Sequence, residues 1–540
     1  MKSSVRLFRE KMACCGCEAC KEICPQKAIE MIQDEEGFFY PMIDEDNCIT
    51  CGLCTAICPM KHNEDDSISE QLTLGVKNKR YDMRMRESSG GFFSVLCNYM
   101  LSRNGVIYGV KYSCDNKAAE YTRVEKDYEE LFGSKYVQSI KGNIYTRIKK
   151  DLCEGRSVLF VGTPCDNAGL KRFLAINNCK TDNIIFCDMV CHGVPSPLIY
   201  SEYIAFLEDI FHSKVKNFSF RDKSINGWEG FGIRAEFCNG LKYYVPSMRD
   251  FYFVLFDYAH ILRQSCYKCT WKKEQRYTDF TLGDFWGISK IDPSFCDSLG
   301  GVSLVLVNTE KARNIFNRLK ADVEYKQYNI KQAVQYNDSL IRSRAECLED
   351  RNRKLQELCD KGIEGTIRET WILWRMVAWI FEKVPRIKNV VDISVNQNWI
   401  LLGIKEWMNK EVLGVYVNRS NDNCVVVKDY EQHNMEWNIN LLRNRKIDLI
   451  RMQLEGLEYF YLQELRPRII MDRPIVLVEL MRKYSSNKNV PNDVIAYFRE
   501  YGYECYAIND NLNIVPIDAI TEETEEKWFL FTGEKVNFEL

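Results

Sequence analysis

Cys14, Cys17, Cys20 and Cys24 stand in the spacing C-x2-C-x2-C-x3-C and are closed by Pro25; Cys48, Cys51, Cys54 and Cys58 repeat that spacing and are closed by Pro59. Thiolates are soft ligands, and four of them on so tight a loop can surround an iron–sulfur cubane. Zinc knuckles show paired C-x2-C steps instead, so the spacing selects iron–sulfur over zinc. Cys15 is left over once the pattern is filled and is expected to be unligated. Nine of the 24 cysteines fall between Cys14 and Cys58. A secreted disulfide scaffold would be shorter and would carry an export signal, whereas the first residues (Met1, Lys2, Ser3, Ser4, Val5, Arg6) lack an apolar run. Clustered thiols in a reducing compartment bind metal, and the expectation is a soluble, cytoplasmic protein.

Residues 8 to 62 resemble bacterial-type two-cluster ferredoxins. In such proteins the fourth cysteine of each run ligates the other cluster. The resemblance therefore implies one 4Fe-4S cluster on Cys14, Cys17, Cys20 and Cys58 and a second on Cys48, Cys51, Cys54 and Cys24. It also implies one-electron transfer at low potential, with no reaction specified. Phe38, Phe39 and Tyr40 read as a short strand covering the clusters.

The elements that must position these groups belong to a larger molecule. A length of 540 residues predicts two to four domains, and 46% apolar with 28% charged residues predicts a globular chain. A net charge of −3 gives no reason to expect nucleic acid as a partner. The longest strongly apolar stretch, Trp371 to Phe381, carries Arg375 and is too short to span a bilayer, so no transmembrane segment is expected.

After a polar linker over 63–80, Ser88, Ser89, Gly90 and Gly91 open an apolar helical run. Small residues at a helix start leave free N–H groups that suit a phosphate, although such residues also serve as plain caps. Gly105–Lys111, Val158–Gly162 and Ile184–Val190 read as strands separated by helical stretches, an alternating β/α pattern. The second runs into Thr163, Pro164 and Cys165, and the third into Cys191, His192 and Gly193. Two thiols are thus placed at the carboxyl edge of a sheet, where open α/β folds collect ligands. Cys266 and Cys269 form a C-x2-C pair, which with Cys165 and Cys191 gives four candidate ligands for a third 4Fe-4S cluster. Cys97, Cys114, Cys153, Cys179 and Cys238 have no metal spacing and read as ordinary cysteines. His192 is the one histidine within a motif, and its role is open between structure and catalysis.

The order of Ser88-Ser-Gly-Gly, Gly133-Ser-Lys-Tyr, Gly162-Thr-Pro-Cys, Cys191-His-Gly, Phe220-Arg-Asp-Lys, Cys266-x-x-Cys and Thr281-Leu-Gly-Asp-Phe-Trp-Gly resembles the beta-subunit family of coenzyme F-420 hydrogenases and dehydrogenases, over about residues 75 to 345. The resemblance implies an iron–sulfur flavoprotein oxidoreductase. Ser88, Ser89, Gly90 and Gly91 would hold FAD phosphates, Lys135 and Tyr136 would lie along the flavin, and Cys165, Cys191, Cys266 and Cys269 would hold the third cluster. It implies hydride exchange with a deazaflavin, a nicotinamide or another small molecule, coupled to a one-electron carrier such as ferredoxin. A flavin converts between hydride and single electrons, so one chain could join the two. The rival expectation is a non-catalytic electron-transfer or scaffold subunit serving a partner enzyme, which a blocked flavin face would favour. No motif identifies the hydride substrate or any catalytic residue.

Residues 346 to 388 read as a helical connector, in which Trp371, Trp374, Met376, Val377 and Ile380 can share an apolar face. Residues 389 to 540 resemble, weakly, methyltransferases of polyketide and polysaccharide pathways: Asp448-Leu-Ile leads to Glu455-Gly-Leu-Glu458. Gln453 stands where an Asp is usual, and Val391 to Asn396 lacks a glycine-rich turn. A degenerate α/β docking domain is therefore expected, with a redox-regulated methyltransferase as the alternative. The fold class expected overall is multidomain α/β: a small ferredoxin (1–62), a central α/β flavin-binding domain (75–345), the connector, and a partial Rossmann-like domain.

Overall fold

The computed structural model describes residues 7–62, 71–384, 386–394, 411–416, 426–429, 432–436, 446–454, 458–480, 490–509, 514–521, 524 and 527–533. The chain forms two compact units, Met1–Thr366 and Ile367–Leu540.

In the first unit the cysteine runs sit on either side of an antiparallel hairpin, β1 (Ile29–Gln33) and β2 (Phe39–Ile43). Phe38 is fully buried and Tyr40 nearly so; the strand expected over Phe38–Tyr40 begins at Phe39 and continues to Ile43. Beyond it lies an eight-stranded sheet in the order β13-β3-β12-β11-β7-β6-β4-β5. Its strands are β3 (Leu72–Asn78), β4 (Val106–Tyr112), β5 (Ala119–Val124), β6 (Val158–Val161), β7 (Ile184–Met189), β11 (Phe280–Asp284), β12 (Ser303–Val307) and β13 (Val323–Tyr328). A separate three-stranded antiparallel sheet holds β8 (Val215–Asp222), β9 (Gly232–Phe237) and β10 (Lys242–Pro246).

Four neighbours, β4, β6, β7 and β11, run parallel. Their sequences are nearly continuous apolar runs because both faces are covered, as parallel strands require. Ile184, Ile185, Phe186 and Cys187 are all buried in β7, and every residue of β12 is buried. The helix Pro164–Ile176 begins immediately after β6, with Pro164 in its first turn and the Thr163 hydroxyl accepting from the Asp166 N–H. That stop-and-turn puts Cys165 at the sheet's carboxyl edge. Cys191, two residues beyond β7, reaches the same edge.

The ferredoxin is tied to this sheet by buried polar contacts. The Arg351 guanidinium, fully buried, grips both Glu36 carboxylate oxygens at 2.5 and 2.6 Å and donates to the Leu262 carbonyl. Arg172 donates to the carbonyls of Ala56 and Ile57, and the Tyr145 hydroxyl donates to the Cys17 carbonyl. In return, Glu18 and Glu22 accept backbone N–H bonds from Lys141, Tyr145 and Thr146.

The second unit is a seven-stranded sheet. Its order is Glu411–Tyr416, Asn389–Ser394, Leu449–Gln453, Ile475–Glu479, Trp528–Thr532, Glu504–Ile508 and Ile514–Pro516. The first four are parallel, and Trp528–Thr532 is antiparallel to both neighbours. Asp448 accepts from the N–H groups of Lys388 and Asn389, so its carboxylate ties strand beginnings together. The end of the stretch that lacks a glycine-rich turn (395–396) and the turn at 455–457 lie outside the described residues. The connector is a helix, Leu348–Lys383, broken at Gly362, whose φ is +69°. Of the expected apolar face, Met376, Val377 and Ile380 are fully buried against the second unit's own sheet, and the side chains of Trp371 and Trp374 lie outside the described residues. No helix among the described residues is long and apolar enough to cross a membrane.

Candidate redox site

Four cavities follow one another through the first unit, each sharing wall residues with the next. The outermost is small and is lined by Cys24, Cys48, Cys51 and Cys54. The next is lined by Cys14, Cys17, Cys20 and Cys58, with Cys54 on the wall common to both. These are the two quartets that cross-ligation calls for. Four thiols around a closed, otherwise apolar space suit the donor chemistry of a 4Fe-4S cluster. Among the described residues no three His, Cys, Asp or Glu side chains converge on a single-ion position.

The third cavity brings Cys165, Cys191, Cys266 and Cys269 together from three separate segments. Cys266 Sγ accepts from the Val194 N–H at 3.5 Å, and the Cys269 N–H donates to Ser343 Oγ at 3.1 Å. Cys15 lies on the walls of the second, third and fourth cavities. Its thiol is hydrogen-bonded to Cys165, a bond that holds the Cys165 thiol below its ordinary range despite burial. The same bond pushes the Cys15 thiol well up. The residue left over by spacing thus stands where two quartets meet. Only the contact with Cys165, remote in sequence, reveals it.

The fourth cavity, about 780 Å³, opens along the carboxyl ends of β6, β7 and β11. Its size, and a lining that combines aromatic walls with many polar and charged side chains, suit a large polar cofactor. Lys135, Tyr136, Ser88 and Ser89 line it, as do Cys165 and Cys191. Burial pushes the Lys135 ammonium down to about 7, while its Nζ donates to the Phe132 carbonyl at 2.6 Å. Tyr136 is stacked on Phe256, with ring centroids 4.4 Å apart, and its hydroxyl accepts from Arg221 at 3.2 Å.

Gly90 and Gly91 are placed otherwise than as phosphate contacts. A Cβ on Gly90 would meet the Val76 carbonyl at 2.3 Å and the Ser303 N–H nitrogen at 2.4 Å, so the glycine exists to let β3 and β12 approach. Gly91 takes φ +86° and faces Asn78 and Arg84. The N-terminus of the helix they open, Phe92–Ser102, is already occupied: the buried Glu87 carboxyl group accepts from the Ser94 N–H at 3.2 Å. The two hydroxyls are also engaged, Ser88 with Ser134 at 2.9 Å and Ser89 with the Val302 carbonyl at 3.0 Å.

Burial pushes Glu87 up to about 7. A carboxyl raised in the folded state keeps its proton where the unfolded chain has lost it, so its contribution to stability is present at low pH and lost as pH rises from about 4.5 to about 7. Glu87→Gln keeps an acceptor for Ser94 without the charge. It should flatten the fall in stability over that interval, by up to about 3 kcal/mol, as read from denaturant titrations at stepped pH. An unchanged slope would show that Glu87 titrates normally.

Two of the quoted motifs, Phe220-Arg-Asp-Lys and Thr281-Leu-Gly-Asp-Phe-Trp-Gly, had no role assigned from the sequence, and they supply the core that holds this pocket's rim. The Arg221 guanidinium pairs with Asp284 at 2.7 and 3.0 Å and donates to the Ser88 carbonyl. Trp228 Nε1 donates to the same carboxylate at 2.6 Å, and its ring stacks on Trp286 at 4.8 Å. Lys223, nearly inaccessible, donates to the carbonyls of Arg84, Ser89 and Gly300 and fixes the Ser88–Ser89 loop. His192 lines the pocket, bonds Ser339 through Nδ1 at 3.1 Å, and is pushed down to about 4 by burial and then by Lys272 and Arg344. It is a neutral imidazole whose buried Nε2 has no hydrogen-bond partner in the structure.

A dicluster fold joined to an α/β domain with a further cysteine quartet defines an iron–sulfur protein of the electron-transfer class. More narrowly, residues 155–332 match the family described as the C terminus of the coenzyme F420 hydrogenase/dehydrogenase beta subunit, and residues 13–62 match the 4Fe-4S dicluster domain. Among curated proteins, the B subunit of an ion-translocating oxidoreductase complex of Methanosarcina acetivorans is 39% identical over 51 residues, which are 9% of this chain and 17% of that protein. An uncharacterised ferredoxin of Methanocaldococcus jannaschii is 47% identical over 45 residues, 8% of this chain and 24% of that one. A 7Fe ferredoxin of Hydrogenibacillus schlegelii is 35% identical over 65 residues, 12% of this chain and 77% of that one. A chain of the F420-reducing NiFe hydrogenase complex from Methanosarcina barkeri aligns over 55% of this chain and 94% of its own, at 14% identity and TM-score 0.35.

Proposed function

We propose that the chain is a cytoplasmic iron–sulfur flavoprotein oxidoreductase that couples hydride exchange at FAD to one-electron transfer through three 4Fe-4S clusters. The observation that carries this reading is the continuity of the four cavities. Cys54 stands between the first two, Cys15 between the second and third, and Cys165 and Cys191 between the third and the large pocket. Bound in that pocket, FAD supplies the exchange between a hydride and single electrons. The chain's own residues do the rest. Phe253, Phe256 and Trp286 give a ring an apolar wall, and Lys135, Lys141 and the neutral His192 stand among the polar residues that line the pocket. Cys51 is exposed, so a soluble one-electron carrier meets the cysteine series at its outer end. The open pocket favours an enzyme over a scaffold subunit. Its hydride partner is a small molecule such as a deazaflavin or nicotinamide, and assembly with a further subunit is compatible with this arrangement.

Ser134 lines the large pocket and not the three smaller ones. Ser134→Trp should fill the pocket and abolish flavin binding while leaving the iron content of the anaerobically reconstituted chain intact. Flavin extraction beside iron analysis measures both. Stoichiometric FAD in the variant would mean that the flavin, if bound, lies elsewhere.

A further inference from the structure

Arg263 is the cation most deeply involved with the ferredoxin. It is fully buried, three residues before Cys266, and its own N–H bonds the Val194 carbonyl. Its guanidinium reaches out of the central domain into the second cavity's rim. Nε donates to the Cys14 carbonyl at 2.8 Å, Nη1 to Gln138 Oε1 at 3.0 Å, and Nη2 to the Phe39 carbonyl at 3.0 Å. Nη2 also stands 3.6 Å from Cys14 Sγ, and the guanidinium carbon lies 4.0 Å from the Tyr40 ring centroid. A guanidinium keeps its charge at every accessible pH.

We propose that Arg263 sets the order in which the two N-terminal clusters fill, making the inner one, on Cys14, Cys17, Cys20 and Cys58, the first to be reduced. This rests on the reading that these cysteines hold a 4Fe-4S cluster. Reduction adds one negative charge to the cluster, and a fixed cation beside a ligating sulfur favours that state, as does a hydrogen bond to the sulfur. Burial leaves the attraction unscreened by salt. Solvent near the outer quartet works in the opposite direction, since Cys51 is exposed and hydration also favours the reduced cluster. The structure weights the balance toward the inner cluster because the guanidinium is in direct contact, is fully buried, and is held in place by three further acceptors. An electron arriving from a carrier at the exposed end would then pass inward and rest beside Cys15 and the third quartet.

The test is a potentiometric titration of the full, anaerobically reconstituted chain, followed by electron paramagnetic resonance with and without a water-soluble dysprosium chelate. The chelate speeds relaxation of a cluster near the surface and leaves a buried one unchanged. In the wild-type chain the first cluster signal to appear should be insensitive to the chelate. In Arg263→Gln the preference for the inner cluster should fall at least tenfold, which is about 59 mV for a one-electron couple. Arg263→Lys, which keeps the charge, should restore most of it. A chelate-sensitive first signal in the wild type overturns the proposal, as does an equal shift of both clusters in Arg263→Gln. If that variant assembles no clusters, the wild-type measurement decides alone. A wild-type chain that takes up no cluster on these cysteines overturns the underlying reading as well, and iron analysis distinguishes that failure from the others.

Discussion

On the proposed three-cluster reading, Cys269→Ala should lower the iron content of the reconstituted chain from about twelve atoms to about eight, because the proposed third cluster loses a ligand while the other two keep theirs. Cys165, Cys191, Cys266 and Cys269 share one cavity wall, and a cubane missing one of four thiolates is exposed to loss. The large pocket does not include Cys269, so bound flavin should stay. The variant should still exchange hydride with a donor at the flavin, yet fail to reduce the N-terminal clusters, a separation visible by rapid mixing with spectral detection. A fully reconstituted wild-type chain holding only about eight irons would remove the third cluster from the scheme.

Asp166→Ala should produce the largest loss of stability among single substitutions near the site. Lys141 and Asp166 form an ion pair at 3.2 Å with side chains 3% and 2% exposed, and the Tyr121 hydroxyl donates to Asp166 at 2.9 Å. Deleting one member of such a pair leaves a desolvated charge and typically costs about 3–5 kcal/mol, whereas replacing both with apolar groups is far milder. Asp166→Ala should therefore lower the first unit's unfolding midpoint sharply. Combining Asp166→Leu with Lys141→Met should recover at least half of the loss. A single-variant cost below about 1 kcal/mol would mean that water reaches the pair. Lys141 also meets the ferredoxin through its backbone N–H to Glu18, so the single variant should loosen cluster retention too.

The two N-terminal quartets were legible in the sequence because cluster ligands are encoded locally, in spacings of a few residues. The strands running into Cys165 and Cys191 were legible for a related reason: buried parallel strands are continuous apolar runs. What stayed hidden depended on contacts distant in sequence. Gly90 announces a close backbone approach, but nothing nearby says that the approaching group is β12 instead of a phosphate. Glu87 looks like a surface carboxylate until Ser94 is seen donating to it. Arg221, Arg263 and Arg351 look like surface cations until their carboxylate, sulfur and carbonyl partners arrive from far along the chain. Cys15 followed the same rule: spacing marked it as surplus, and only the fold gave it a neighbour in Cys165.

The grip of Arg351 on Glu36 also bears on kinetics. A ferredoxin carried on a free tether must diffuse to its partner surface before each transfer, and thickening the solvent slows it. Here the ferredoxin is clamped by Arg351 at the hairpin turn, by Arg263 beside Cys14, and by Arg172 at Ile57. With no docking step to wait for, passage of an electron between the ferredoxin and the sheet domain would be paced by distance and driving force. Added glycerol or sucrose would slow the encounter with an external carrier and leave the internal step untouched.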